Sequence, residues 1–276
     1  MPPLVDGSTR LLGVVGDPIE QVRAPGVWSG LFRLNGVNAL CVPMHVRPAS
    51  LQTFFAGIRA LGNLQGLIVT IPHKPVILDL LDSLTERARR TGVVNAVAIQ
   101  ADGRTVGDTF DGVGFVAGLH AAQKDLWGRR ALVVGSGGVG ASIAFAVAEA
   151  GAREVCVSDV SDARAGALTE RLQRAGFRSD VVAPDPRGFD LVVNASPMGM
   201  RATDPLPFNC AHLEPAALVV DVVISPTLTP VLAAAQARGC FVQPGSVMTD
   251  HMIAAMAEFF GFPPGDWSAA AIAKLS

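Results

Sequence analysis

Gly135-Ser136-Gly137-Gly138-Val139-Gly140 forms a G-x-G-x-x-G run that follows an apolar stretch, residues 131–134, and opens an Ala-rich helical one. Glycines at this spacing permit a tight turn, let the backbone approach a phosphate, and allow a helix to pack closely on a strand, while the helix N-terminus faces negative charge. The chemistry they suit is binding of a dinucleotide pyrophosphate. Asp159 closes the next apolar stretch, about 20 residues after the glycine turn, where a carboxylate can hydrogen-bond both ribose hydroxyls of NAD and would repel a 2′-phosphate. The expected cofactor is NAD in preference to NADP, with Arg164 a turn further on as the group that could still meet a phosphate. Asp159 also fits a simpler role, as a helix-start acid beside Ser161.

A dehydrogenase must also move a proton, and the composition narrows what can move it. The chain of 276 residues contains no Tyr, which removes the Tyr-based proton donor of short-chain dehydrogenases. Cys41, Cys156, Cys210 and Cys240 are far apart and show no two-residue gap, so neither a zinc knuckle nor a redox dithiol is expected and the thiols read as reduced. Lys, His, Asp or Glu must therefore handle the proton. A net charge of −2 without a basic block argues against nucleic acid as a partner. The uncharged run 131–148 has the length of a membrane span, but its glycine cluster fits a buried strand, a turn and a helix better. Residues 1–10 lack the basic patch and apolar stretch of a signal peptide, so the expectation is a cytoplasmic protein, monomer or homodimer, acting on a small molecule.

The elements that must position these groups alternate between apolar runs and helical patterns, the signature of α/β architecture with parallel sheets. Strands are expected over 11–15, 39–46, 67–70 and 93–99, a helical stretch over 48–61, and a tight turn at Ala101-Asp102-Gly103. Ser83 with Glu86 reads as a capping box for a helix running to about Arg90. A second pattern begins near Arg130: strand 131–134, glycine turn, helix to about Ala150 and strand 154–158. Next come a helix with Ala165, Leu168, Leu172 and Ala175 on its apolar face, and strands near Val181, 191–194 and 218–223. Helices over 247–260 and 268–274 have no strand beside them and are expected to return to the first domain. The length suits two domains. The expected organisation is an N-terminal α/β substrate domain, 1–110 plus 246–276, and a doubly wound Rossmann domain for the dinucleotide, 111–245.

Several further motifs, in order along the chain, resemble the shikimate/quinate dehydrogenase family. Gly16-Asp17-Pro18-Ile19 is similar to the family's G-N-P-I, Val69-Thr70-Ile71-Pro72-His73-Lys74 to V-T-V-P-x-K, and Gly92-Val93-Val94-Asn95-Ala96 to G-A-V-N-T. Gly107-Asp108-Thr109-Phe110-Asp111-Gly112 resembles G-x-N-T-D-G, and residues 194–200 resemble N-A-T-P-x-G-M; Asp221-Val222-Val223 and Thr229-Pro230-Val231-Leu232 occupy two more family positions. The resemblance implies reversible hydride transfer between NAD(P) and a secondary hydroxyl of a cyclic substrate, a step of aromatic amino acid biosynthesis in the shikimate case. It implies a proton-handling pair at Lys74 and Asp111. Substrate contacts are implied at Thr70, Asn95 and Met252, and at the loop positions now held by Val22 and Ala24. Beyond Gly135, Ser136, Gly137, Gly138, Val139, Gly140 and Asp159, it implies cofactor contacts at Asn194, Ser196, Val223 and Gly245. Without it, Lys74 reads as a solvated Lys after a proline and Asp111 as a helix cap. Asn95, in an apolar run, reads as a site residue or a backbone bridge. A Lys ordinarily titrates near ~10.4, so a Lys base makes alcohol oxidation faster towards alkaline pH.

The chain also departs from the family pattern. Two loop hydroxyls that hold the substrate carboxylate in the family are replaced in Val22-Arg23-Ala24-Pro25. At about 1.5–3 kcal/mol for each bond to a charged group, their loss weakens a carboxylate by roughly two to four orders of magnitude unless other groups compensate. Ile68, Phe110, Ile224 and Met252 stand where the family has more polar residues, while Gln21, Arg23, His45, His73 and His251 offer polar groups for a rebuilt recognition surface. The readings left open are a shikimate or quinate substrate, a less polar one, a noncatalytic NAD-binding sensor, and a methylenetetrahydrofolate dehydrogenase-like enzyme.

Overall fold

The computed structural model describes residues 5–201 and 203–275; the first four residues of the segment expected to carry no signal peptide lie outside it. The chain divides into two compact units, residues 1–110 with 253–276 and residues 111–252. The chain returns to the first unit between Met252 and Ile253, seven residues later than the expected 245/246.

In the first unit the chain runs through β1 (Arg10–Gly16), α1 (Ala24–Leu34), β2 (Ala39–His45), α2 (Leu51–Ile58), β3 (Leu64–Val69), β4 (Ser83–Leu84), α3 (Glu86–Thr91), β5 (Ala96–Ile99) and β6 (Thr105–Asp108). The sheet order is β2-β1-β3-β5-β6-β4. An all-parallel sheet was the expectation; here β5 runs antiparallel to both β3 and β6. The cause lies in the connection from β5 to β6, a short turn at residues 100–104 with Gly103 at φ +81°, which reverses the chain as a hairpin rather than crossing over. The cap of α3 also differs from expectation. Thr85 accepts from Ala88 N–H, Glu86 is the first helical residue and Ser83 belongs to β4, while Gly92 ends the helix at φ +64°.

The second unit contains α4 (Asp111–Ala121), β7 (Arg130–Val134), α5 (Gly138–Glu149), β8 (Glu154–Ser158), α6 (Asp162–Arg174), β9 (Ser179–Val181), β10 (Leu191–Asn194), β11 (Leu218–Asp221), α7 (Pro230–Ala237), β12 (Phe241–Gln243) and α8 (Gly245–His251). Its strands are all parallel in the order β12-β11-β10-β7-β8-β9, the doubly wound arrangement with its switch point between β7 and β10. Valine and leucine on the central strands are buried on both faces, as a sheet covered by helices requires, while Val181 on the edge strand β9 is exposed. On α6 the apolar face is Ala165, Leu168 and Leu172; Ala175 caps the helix and is exposed.

Helix α4 reaches its neighbours through glycine. A Cβ on Gly112 would stand 2.3 Å from the Ser142 carbonyl of α5, and one on Gly114 would stand 2.1 Å from the Met248 carbonyl of α8. The expected helix over 247–260 is therefore two helices with different partners. α8 packs on α4, and α9 (Ile253–Phe259) belongs to the first unit with α10 (Ala269–Ala273). There Trp28 and Phe32 of α1 meet Phe260, Phe262 and Trp267 with ring centroids 4.8–6.0 Å apart. No helix among the described residues is long and apolar enough to cross a membrane.

Candidate functional site

The polar groups expected to meet a substrate gather at the C-terminal ends of β1 and β3 and at the N-terminal end of the antiparallel β5. Parallel pairing of β1 with β3 sets Gly16 beside Thr70, and a Cβ on Gly16 would stand 2.4 Å from Thr70 Cγ2, so only glycine fits. Thr70 donates its N–H to the Val15 carbonyl and accepts from His73 N–H, a turn that leads directly to Lys74. Lys74 is buried, 9% exposed, and its carbonyl accepts from Val94 N–H, which ties the turn to the segment carrying Asn95. A solvated surface Lys is thereby ruled out. Asn95 is 2% exposed; its Oδ1 accepts from Phe110 N–H at 2.9 Å, and its backbone bridges Val69 and Asp108. The backbone-bridging role read from the sequence is met there, and Nδ2 donates to no partner among the described residues.

Asp108 was passed over as the variable position of its motif, yet it organises this edge. It is 4% exposed and accepts from Thr85 Oγ1 at 2.6 Å, from Arg87 Nε and Nη2 at 3.0 and 2.6 Å, and from Thr109 N–H at 2.7 Å. The sequence signal was the Thr85-Glu86-Arg87 helix start, whose hydroxyl and guanidinium need a carboxylate from elsewhere in the chain. Of the four apolar residues expected to line the pocket, Ile68 and Phe110 are core, whereas Ile224 is 37% exposed and Met252 is half-buried. Ile68 is 7% exposed, and the Phe110 ring lies between the Arg87 guanidinium, 4.6 Å away, and Phe259, 5.3 Å away.

Val22 and Ala24, at the start of α1, are half-buried and bring no side-chain donor, while Arg23 between them is exposed. Of the polar groups suggested as replacements, His73 is fully buried with Nε2 against the Val46 carbonyl at 2.7 Å and cannot face a ligand. Gln21 donates to the Pro18 carbonyl and His251 meets the Val247 carbonyl. His45 pairs with Asp17 at 2.7 Å and remains half open to solvent.

In the second unit the glycine turn leaves β7 and enters α5. Gly135 has φ +108°, and its Cβ would stand 2.7 Å from the Ala195 carbonyl; a Cβ on Gly140 would meet the Gly135 carbonyl, so this helix end and turn are in direct backbone contact. Gly137 differs: it is exposed, with nothing within 4 Å of the place a Cβ would take. Gly138 and Val139, half-buried in the first turn of α5, complete a helix N-terminus without a side-chain cap. That open cradle fits a pyrophosphate.

Asp159 holds the turn from below. Its Oδ2 accepts from the N–H and the hydroxyl of Ser136, both at 2.7 Å, and its Oδ1 accepts from Ser161 N–H at 2.9 Å and Arg164 Nη2 at 2.7 Å. Burial pushes this carboxyl up, but the bonds from Arg164, Ser136 and Ser161 outweigh it and hold the group well below the usual carboxylate range. Ser161 caps α6 and donates its N–H to Asp159, so the simpler role of a helix-start acid beside Ser161 is met as well.

Across the switch point, Asn194 is fully buried. Its Nδ2 donates to the Met198 carbonyl and to Asp221 Oδ1, and its Oδ1 accepts from the hydroxyl and N–H of Ser196. Asp221 in turn accepts from Val223 N–H and from Thr229 Oγ1 at 2.6 Å; burial raises its carboxyl above the ordinary value despite these bonds. Asn194, Ser196 and Val223 thus shape the loops after β10 and β11 from beneath. A Cβ on Gly245 would stand 2.4 Å from the Val222 carbonyl, so that glycine serves a close backbone approach. Asp111 opens α4, 3% exposed, and Met252, half-buried, caps α8 beside Gly114.

Comparison with known proteins places these geometries in a lineage. Residues 14–97 match the family model of the shikimate dehydrogenase substrate binding domain. The chain is 39% identical over 252 residues to the NADP(+) shikimate dehydrogenase of Rubrobacter xylanophilus, covering 89% of this chain and 88% of the relative. It is 35% identical over 267 residues to the NAD(+) quinate/shikimate dehydrogenase of Corynebacterium efficiens, covering 92% and 94% respectively. The solved quinate dehydrogenase of Corynebacterium glutamicum, in complex with NAD, superposes with a TM-score of 0.85 at 32% identity over 97% of this chain and 98% of that one. With its motifs in order and its fold and sequence matched over nearly the full length, the chain belongs to the shikimate/quinate dehydrogenase family.

Proposed function

We propose that this chain is a cytoplasmic dehydrogenase that transfers hydride reversibly between NAD and a secondary hydroxyl of a shikimate- or quinate-like cyclic compound. The first unit takes the substrate and the second the dinucleotide. The observation that carries the reading is the open backbone cradle at Gly137, backed by the Asp159 carboxylate. A nicotinamide dinucleotide bound there supplies the hydride acceptor. Lys74 takes the hydroxyl proton as hydride leaves, a task that suits an amine held in a buried turn, and Asp111 is its acidic counterpart. Asn95 donates from Nδ2 to a substrate oxygen, with Thr70 beside it. Asp159 favours the ribose diol of NAD, whereas Arg164, 61% exposed, can turn towards the 2′-phosphate of NADP.

The relatives carry both cofactor names, so the test measures both cofactors: NADH formation from NAD and NADPH formation from NADP, with shikimate, quinate and related cyclic alcohols. The expected result is turnover of one of them that rises towards about pH 9–10 and is abolished by Lys74→Ala. A second reading, a less polar substrate, is favoured by Val22 and Ala24, which bring no hydroxyl to a carboxylate. NAD binding without turnover of any alcohol overturns the enzymatic reading in favour of a sensor.

A further inference from the structure

Arg87 lies outside the residues assigned above, yet it holds the centre of the substrate edge. We propose that Arg87 is a positioning residue for Asn95: acting through Asp108, it fixes the amide so that Nδ2 is the group presented to substrate. This rests on the assignment of Asn95 as a substrate contact.

The linkage is continuous. The guanidinium forks onto both oxygens of Asp108, at 3.0 and 2.6 Å, and Thr85 donates to the same carboxylate at 2.6 Å. Asp108 then bends the strap that follows β6, because its Oδ1 accepts from Thr109 N–H at 2.7 Å while its carbonyl accepts from Asn95 N–H at 2.9 Å. The bent strap delivers Phe110 N–H to Asn95 Oδ1 at 2.9 Å. An amide has its acceptor and donor on opposite sides, so one bond to Oδ1 decides where Nδ2 points. The other face of the guanidinium covers the Phe110 ring at 4.6 Å, closing the strap from above. A lysine can neither fork onto both oxygens nor stack in this way.

Steady-state kinetics of the full chain with a turned-over cyclic alcohol test the linkage. Arg87→Ala is expected to raise KM for the alcohol by about tenfold or more while KM for the dinucleotide stays within about twofold. Arg87→Lys is expected not to restore the alcohol KM, added guanidinium ion is expected to restore it in part, and Arg87→Ala is expected to add nothing in an Asn95→Ala background. An unchanged alcohol KM, or the same loss in both Asn95 backgrounds, overturns the proposal. If Asn95→Ala is itself silent, the substrate assignment has failed, and the positioning claim is read without substrate from the Asn95 Nδ2 signals by NMR. Those signals are expected to collapse to a solvent-averaged position in Arg87→Ala, and unchanged signals overturn the proposal.

Discussion

Asp159→Asn separates the structural job that the carboxylate does from the selective job proposed for it. As a structural group, it gathers four donors from Ser136, Ser161 and Arg164. An Asn of the same shape has one acceptor oxygen, so its NH2 must face either Ser136 or the Ser161–Arg164 side, turning attraction into donor–donor contact. Loss of that set loosens the glycine turn and weakens both dinucleotides alike. In the selective role proposed for it, the carboxylate would meet the ribose diol of NAD and repel a phosphate. One bond to a charged acceptor is worth about 1.5–3 kcal/mol, so NAD loses roughly 10–150-fold, while NADP loses only the shared structural part and is relieved of the repulsion. The ratio of kcat/KM for NAD over NADP cancels the shared part. It is expected to fall by at least about tenfold in Asp159→Asn, and Arg164→Ala is expected to move it the other way. A ratio unchanged in Asp159→Asn, with both cofactors weakened equally, refutes the selective role and leaves Asp159 as a support for the turn.

Gly114→Ala sets a methyl 2.1 Å from the Met248 carbonyl, and this close helix contact cannot open cheaply; a net loss of about 1–2 kcal/mol in urea unfolding is expected after the better helix propensity of Ala is set against overpacking. Two surface carboxyls give a modest, definable acid response: the Arg59 guanidinium holds Asp82, and Arg187 holds Asp185, down to about 2. Depressed carboxyls stabilise the fold above the unfolded value of about 3.9 and lose that contribution as pH falls towards about 2, so Asp82→Asn should flatten the fall in stability over this interval, measured by urea titrations at successive pH values. Asp221 acts with the opposite sign, since burial raises its carboxyl and stability declines as pH rises from the unfolded value towards the folded one.

The second unit was the more legible because its signals are local. Glycines after a valine-rich strand, an acid at the end of the next strand and an apolar helix face each announce themselves within a few residues. What escaped was set by distant pairing. Nothing near Asp108 in sequence announces that Arg87 and Thr85, some twenty residues earlier, will close on it. The hairpin of β5 and β6 was missed because a short apolar strand reads the same in either direction. His73 looked available beside Lys74, but the turn that buries the lysine sends the imidazole inward to the Val46 carbonyl. The break at Met252 was hidden because α8 and α9 form one continuous apolar pattern on different partners.

The first unit takes its last helices from beyond the second, and this sets an order on synthesis. Residues 111–252 are contiguous, so every packing partner within that unit is made before the last helices. Trp28 and Phe32, made early, must wait for Phe260, Phe262 and Trp267, the final aromatic residues of the chain. Until those residues are made, Trp28 and Phe32 lack their aromatic partners, and apolar surface left uncovered in this way is the kind on which a chaperone or a second nascent chain settles. A transcript cut short before these residues would yield a dinucleotide domain joined to an aggregation-prone partner.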